Sequence, residues 1–255
     1  SKYPFSIQAG DPIIVSKESG INVVSDFRND HISLGGEGAP LVPEFHQRLF
    51  SSSQQDKLIL NIGGISNYSY LTKSKVFFGS DSGPGNALID SYCQNFLHKD
   101  FDRNGLLARK GMVHQASLKK MLAHQFFKKK QPKSTGKEIF NLTFIPKSLL
   151  QQSSENILAT LTELTAATIA QAIKQKAQSV NEIIVCGGGI KNIFLMERIS
   201  HYVSPPIVSS ELLGYNPQAI EAMAFGWLAS QRFMNKPLIV GKKKGLIGKV
   251  TKFRL

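Results

Sequence analysis

Three glycine-rich turns carry the residues best suited to hold an anion: Asn61-Ile62-Gly63-Gly64-Ile65-Ser66-Asn67, Asp81-Ser82-Gly83-Pro84-Gly85-Asn86 and Gly187-Gly188-Gly189-Ile190-Lys191-Asn192. Each follows an apolar run that reads as a strand. Glycine has no Cβ to keep a ligand at a distance, so successive N–H groups in such a turn converge on a phosphate oxygen. Any one of them reads equally well as a plain structural turn; the three in this order describe a nucleotide cleft. The spelling excludes better-known arrangements. No GxxxxGK[ST] string is present, Asn192 stands where a dinucleotide fingerprint needs its third glycine, and Gly79-Ser80-Asp81-Ser82-Gly83 puts an aspartate at the nucleophile position of a hydrolase elbow. Asp81 by itself reads as an aspartate that caps a turn or a helix.

The elements that must position these turns follow from periodicity. Ile21-Asn22-Val23-Val24 reads as a short buried strand, and Gly35-Gly36-Glu37-Gly38-Ala39-Pro40 as a loop. Leu58 to Ile62 is a second buried strand, and the alternation through Tyr68, Tyr70 and Leu71 after Gly63-Gly64 makes a hairpin. Val76-Phe77-Phe78 adds a third strand, which Gly83-Pro84-Gly85 turns into a helix with Leu88, Ile89, Tyr92, Phe96 and Leu97 on its apolar face. Leu118, Met121, Leu122, Gln125 and Phe126 mark one further helix face. Residues 131–136 form a connector. A long helix is expected over 154–178 with Ser153 or Ser154 as its cap. A strand over 182–186, a helix carrying Ile193, Leu195, Met196 and Ile199, and a last helix over 217–233 complete the pattern. Strand, glycine turn and helix in repetition predict an α/β chain whose ligands sit at the carboxyl ends of the strands.

Composition bounds the remaining choices. The 255 residues carry 31 Lys+Arg against 18 Asp+Glu, a net +13, which favours phosphate-bearing partners in general. The densest clusters, Lys128-Lys129-Lys130 and Lys242-Lys243-Lys244, lack the interleaved aromatics of a single-strand binder and read as solvated faces rather than a nucleic-acid surface. No apolar run reaches the roughly 18 to 20 residues of a membrane helix, and the first ten residues have no signal-peptide core, so the expected address is the cytoplasm. Cys93 and Cys186 read as buried free thiols rather than as a disulfide or a zinc site.

What remains after these exclusions is the actin-like ATPase style of site, with a phosphate hairpin, an adenosine loop and a linking helix. Several strings resemble the anhydro-N-acetylmuramic acid kinase family. They are Asp26-Phe27-Arg28-Asn29-Asp30, Gly35 to Pro43, Leu60 to Asn67, Asp81 to Asn86, Pro132-Lys133-Ser134-Thr135-Gly136, Ala159 to Ala166, Cys186 to Asn192, and Glu221 to Ala229. The resemblance spans about residues 7–235. It implies the actin-like ATPase (ribonuclease H-like) fold, mostly the C-terminal domain plus part of the N-terminal one. Residues 1–57 would be the remainder of the sugar-side domain and residues 58–255 the nucleotide-binding domain.

The resemblance also implies chemistry. ATP with Mg²⁺ would phosphorylate O6 of the sugar while water opens its 1,6-anhydro bridge, a step of murein recycling. Asp81 would take the proton from that water. Asn61, Gly63, Gly64, Ser66 and Asn67 would face the nucleotide phosphates, and Gly187, Gly188, Gly189 and Asn192 would form the adenosine loop. Asp26, Arg28 and Asp30 would border the sugar pocket, with the arginine on the lactyl carboxylate; a surface ion-pair cluster is the rival reading for these three. Glu221 would face the cleft from the linking helix, where a bare helix residue would face solvent. No metal ligand is assigned. The implied partners are the sugar and ATP, with no nucleic acid and no membrane, and a homodimer is left open. The family's GTSLDG-type phosphate loop is not in the sequence, Glu37 replaces a glutamine, Gln218 stands where an aspartate often precedes the EAMAF helix, and Lys242 to Lys244 replace a TGA-type tail. The expectation is therefore a member without its N-terminal segment, whose catalysis alone is open. The alternative is a non-catalytic remnant or nucleotide-binding scaffold of the same fold.

Overall fold

The apolar runs at 58–62 and 182–186 lack a regular polar alternation, the pattern of strands covered on both faces. Both become inner strands of one sheet. The computed structural model describes residues 4–73, 77–176, 180–240 and 243–253. Its five-stranded sheet consists of β1 (Lys57–Ile62), β2 (Ile65–Leu71), β3 (Phe77–Pro84), β4 (Glu182–Cys186) and β5 (Ile207–Ser209), in the order β3-β2-β1-β4-β5. β2 is antiparallel to both neighbours, while β4 and β5 continue parallel to β1. Five strands in this order with the second reversed are the ribonuclease H-like sheet of the actin-like ATPases, so the fold class expected from the sequence is borne out.

One face of the sheet presents Leu58, Leu60, Ile62, Ile183 and Val185 to two helices, α2 (Ser154–Lys176) and α3 (Ile193–Tyr202), through Ala166, Ile169, Ile173, Leu195 and Ile199. Each fully buried aliphatic side chain here contributes roughly 1.5–3 kcal/mol of transfer free energy. α2 is buried almost all round. Its first half packs Ile157, Leu158, Leu161 and Leu164 into a second, helical core with Leu88 and Ile89 of α1 (Ala87–Phe96) and the rings of Phe126, Phe127 and Phe140. Glu163 of α2 is also buried, held by a two-pronged bond from Arg198 of α3 and by the Tyr202 hydroxyl.

The structure refines several expectations. Asp81, Ser82 and Gly83 are not in a turn: β3 continues to Pro84, because Ser66 pairs with Gly83 and Ile65 with Pro84, and the chain bends only afterwards. The single helix face through Leu118 and Phe126 is two helices, Gln115–Leu122 and Gln125–Lys128, since the His124 ring accepts the Phe126 N–H and starts the second. Phe96, expected on the apolar face of α1, is 52% exposed. The first strand covers Val23–Ser25 and is half-buried, with Ile21 outside it and exposed. The last helix starts at Ile220 because Asn216 folds residues 216–219 into a turn through the Gln218 and Ala219 N–H groups. Val76, Gln178 and Lys242 lie outside the described residues. Cys93 and Cys186 are buried and free.

The chain divides into two compact units, Phe50–Ile220 and a second composed of Ser1–Leu49 with Glu221–Leu255, whereas a single boundary after residue 57 was expected. The second unit has its own reason to include the tail. Val23–Ser25 pairs antiparallel with Lys249–Thr251, and Leu238–Val240 with Lys243–Gly245. Leu228, Leu238 and Ile247 bury themselves with Phe27 and Leu41. Contacts so distant along the chain leave no trace in local periodicity.

Candidate active site

The three glycine turns converge at one end of the sheet. The hairpin tip Gly63-Gly64 does not point its carbonyls outward: Gly63 O accepts from Asn86 N–H at 2.8 Å, and Gly64 O from the N–H groups of Gly85 and Ala87, both at 2.9 Å. A Cβ on Gly85 would stand 2.2 Å from Gly63 O, so only glycine lets the second turn close on the first. Gly187 lies against β1 in the same way. Its φ is +85°, and a Cβ there would stand 2.4 Å from Asn61 Oδ1. Gly188, by contrast, has open space where its Cβ would be, and it lines a cavity of about 500 Å³.

Asn86 and Asp90 of the α1 region form one wall of that cavity, and Phe101, Arg103 and Asn104 another. Lys191, Asn192 and Gln218 close it beside Gly188. Lys191 Nζ donates to Gln218 Oε1 at 2.7 Å. Asn192 spends its carbonyl oxygen capping α3 at Leu195 N–H, so it shapes the cavity rather than offering that acceptor. Burial pushes the Asp90 carboxyl up to about 6, with Lys137 pulling it back down. Of the expected adenosine loop, Gly188 and Asn192 reach this cavity. Asn86, Asp90 and the 101–104 segment were not singled out by the sequence; an exposed aromatic at Phe101 beside Arg103 is the signal that could have drawn attention to them.

The expected phosphate-hairpin residues separate by role. Ser66 is fully buried and its hydroxyl meets Ser82 Oγ at 2.6 Å, tying β2 to β3. Asn61, Asn67 and Asp81 are cross-strand partners on β1, β2 and β3, and so form one polar row on the face opposite Leu60 and Tyr68. Ser82 is the extra residue of a bulge at this point, a device that re-aims the side chains beside it. Asp81 is buried, at 5% exposure.

The connector after Gln131 covers the free edge of β3 at Asp81. Asp81 N–H donates to Lys133 O at 3.0 Å, and Lys133 N–H to Ser80 Oγ at 3.1 Å. The Asp81 carboxylate accepts from Thr135 N–H at 2.8 Å and from the Ser134 hydroxyl at 3.3 Å. The connector is itself anchored by its lysine. Lys133 Nζ is buried, donates to Phe126 O at 3.0 Å and stands 4.4 Å from the Phe126 ring centre. Burial, with Lys129 nearby, holds its pKa below the ordinary lysine value.

In the other unit, the residues expected at a sugar pocket are engaged with their own neighbours. Asp26 bonds Lys249 Nζ at 2.6 Å and Asn29 Nδ2 at 2.6 Å. Those bonds, the lysine's first, hold its carboxyl below the usual range. Arg28 Nη1 donates to Gly38 O at 2.8 Å, and Asp30 accepts from Gly248 N–H at 2.8 Å. Glu221 is exposed in the first turn of its helix. Among the described residues no three His, Cys, Asp or Glu side chains converge on a metal-sized site, and no helix is long and apolar enough to cross a membrane.

A sequence model of the anhydro-N-acetylmuramic acid kinase family matches residues 1–250. A protein of Gamma-proteobacterium EBAC31A08 with the name anhydro-N-acetylmuramic acid kinase is 50% identical over 258 residues, covering 100% of this chain and 71% of that protein. One of the same name from Pseudomonas syringae pv. syringae is 43% identical over 247 residues, covering 94% of this chain and 68% of its own. Among solved structures, the activator of 2-hydroxyisocaproyl-CoA dehydratase from Clostridium difficile aligns at a TM-score of 0.48 and 12% identity, over 79% of this chain and 70% of that one. On the family match and the identities with these relatives, the chain belongs to the anhydro-N-acetylmuramic acid kinase family, and its activity class is that of an ATP-dependent sugar kinase.

Proposed function

We propose that ATP binds with its adenosine in the cavity at Gly188, and that its γ-phosphoryl group passes to O6 of 1,6-anhydro-N-acetylmuramic acid as water opens the anhydro bridge. The cavity's 500 Å³ falls within the range of small-molecule sites, and Phe101 offers an exposed ring with Arg103 beside it. The Asp81 carboxylate takes a proton from water; the water oxygen bonds to the anomeric carbon; the bond from that carbon to O6 breaks; and O6 receives the phosphoryl group, releasing ADP. The observation that carries this reading is Asp81 itself. It is a buried carboxylate that accepts from one backbone and one hydroxyl donor, on the same sheet whose strand ending at Cys186 leads into the Gly188 turn at the cavity. Mg²⁺ would supply charge neutralisation on the nucleotide phosphates. With no converging carboxylates among the described residues, we assign no side chain to it.

Arg28 and Asp30 enter this reading as supports. Arg28 holds the Gly35 to Pro40 loop through Gly38 O, and Asp30 holds the turn at Gly248. The test is ADP release measured with and without the anhydro-sugar, with the mass of the sugar product. Release that depends on the sugar, and a product heavier by one water and one phosphoryl group, is expected. Nucleotide binding by calorimetry with no sugar-dependent turnover would leave a nucleotide-binding scaffold instead.

A further inference from the structure

Two oxygen atoms beside Asp81 are sealed from solvent and have no hydrogen-bond partner among the described residues: Asn67 Oδ1 and Thr135 Oγ1. Buried polar atoms left unpaired are rare, because each loses its hydration without replacement at a cost of about 1–3 kcal/mol. Both flank one carboxylate. Asn67 is the direct cross-strand partner of Asp81, which sets the two Cβ atoms about 5 Å apart on the same face of the sheet. Thr135 is bonded to Asp81 through its own N–H at 2.8 Å, so its hydroxyl lies within one side chain of the same carboxylate.

We propose that Asn67 Oδ1, Thr135 Oγ1 and the Asp81 carboxylate together hold one water molecule, and that this is the water Asp81 deprotonates; the second half of that statement rests on the function proposed above. The chemistry of the three oxygens matches a water's four directions. Asn67 Oδ1 and the carboxylate are acceptors and take the two water hydrogens. The Thr135 hydroxyl donates to one lone pair. One lone pair is left, and it is the one that attacks. A buried water requires two to four polar partners, and this site offers three. The same water explains the Pro132 to Gly136 string. Lys133 anchors the connector in the helical core, and Thr135 delivers both an N–H to the base and a hydroxyl to the base's substrate.

The first test needs no turnover. A high-resolution crystal structure of the chain is expected to show an ordered water within about 2.6–3.2 Å of all three oxygens. The same structure of Thr135→Val should lose that water while keeping the fold and the Thr135 backbone bond. No water at that position, or Asn67 Oδ1 and Thr135 Oγ1 directed to different sides of Asp81, overturns the proposal. The second test is kinetic. Thr135→Val and Asn67→Leu should each lower kcat roughly tenfold to a hundredfold with KM for ATP and sugar unchanged, and the melting temperature should change little, since each removes a buried polar atom together with the water that pairs it. Unchanged kcat in both variants, in an enzyme that Asp81→Asn inactivates, removes the water's role while leaving Asp81 as base. If Asp81→Asn itself leaves turnover intact, the reading of Asp81 falls, and the crystallographic water alone decides the site.

Discussion

Three aspartates drew attention through the strings that carry the family resemblance, and the fold treats them differently. Asp26 and Asp30, in the unit built from the two chain ends, are spent on Lys249 and on Gly248 N–H. Asp81, on β3, accepts from the Thr135 N–H and the Ser134 hydroxyl and stands beside two buried oxygens, Asn67 Oδ1 and Thr135 Oγ1, that have no partner among the described residues. The difference is one of surroundings. A carboxylate facing an exposed lysine does structural work at low return, whereas under the function proposed above the one on the polar row of the sheet serves the reaction.

The sharpest way to break this contrast is Asp81→Asn. It should lower kcat by roughly a thousandfold, the contribution of a positioned general base, with ATP affinity by calorimetry unchanged. A loss below tenfold would make Asp81 no more functional than its counterparts. Asp30→Ala should behave in the opposite sense, removing a bond to a charged acceptor and costing about 1–2 kcal/mol in a denaturant titration while kcat shifts by no more than a few-fold.

Asp90 offers an intermediate case at the cavity wall. Its carboxyl is raised to about 6 by burial from an ordinary 3.8, so the ionised form is the one the fold disfavours. Stability is then highest with Asp90 protonated, falls as pH rises from about 4 through about 6, and stays lower above that. Asp90→Asn should remove this fall and stabilise the protein by about 1 kcal/mol at pH 7 once solvent screening is allowed for. Melting curves of both proteins from pH 4 to pH 8 give the difference. The smallest effect belongs to Asp26→Asn. The lowered pKa of Asp26 means that its contribution is present above the unfolded value and lost as pH falls through the folded one. With Lys249 68% exposed, the expected change is about one degree in melting temperature at pH 7, vanishing in acid.

Most of the inner sheet was legible. The run Leu58 to Ile62, the hairpin after Gly63-Gly64 and the strand ending at Cys186 follow from apolar content and turn chemistry, which act over a few residues and so are written locally. The bulge at Ser82 was not, because a register shift is a property of two strands together. For the site, Gly188 and Asn192 were found by their turn, while Phe101 to Asn104 were missed because no local rule marks a segment that becomes a wall only when α3 and α1 are in place.

Residue order alone determined the α/β class and the glycine turns, since each depends on residue type at short spacing, and it carried the family resemblance that singled out Asp81. Tertiary structure decided which carboxylates are occupied, that residues 221–255 pack with 1–49, and that Asn61, Asn67 and Asp81 share one row. The physical reason is that pairing, burial and desolvation depend on groups brought together from distant positions, and what a carboxylate does is set by which of those groups reach it.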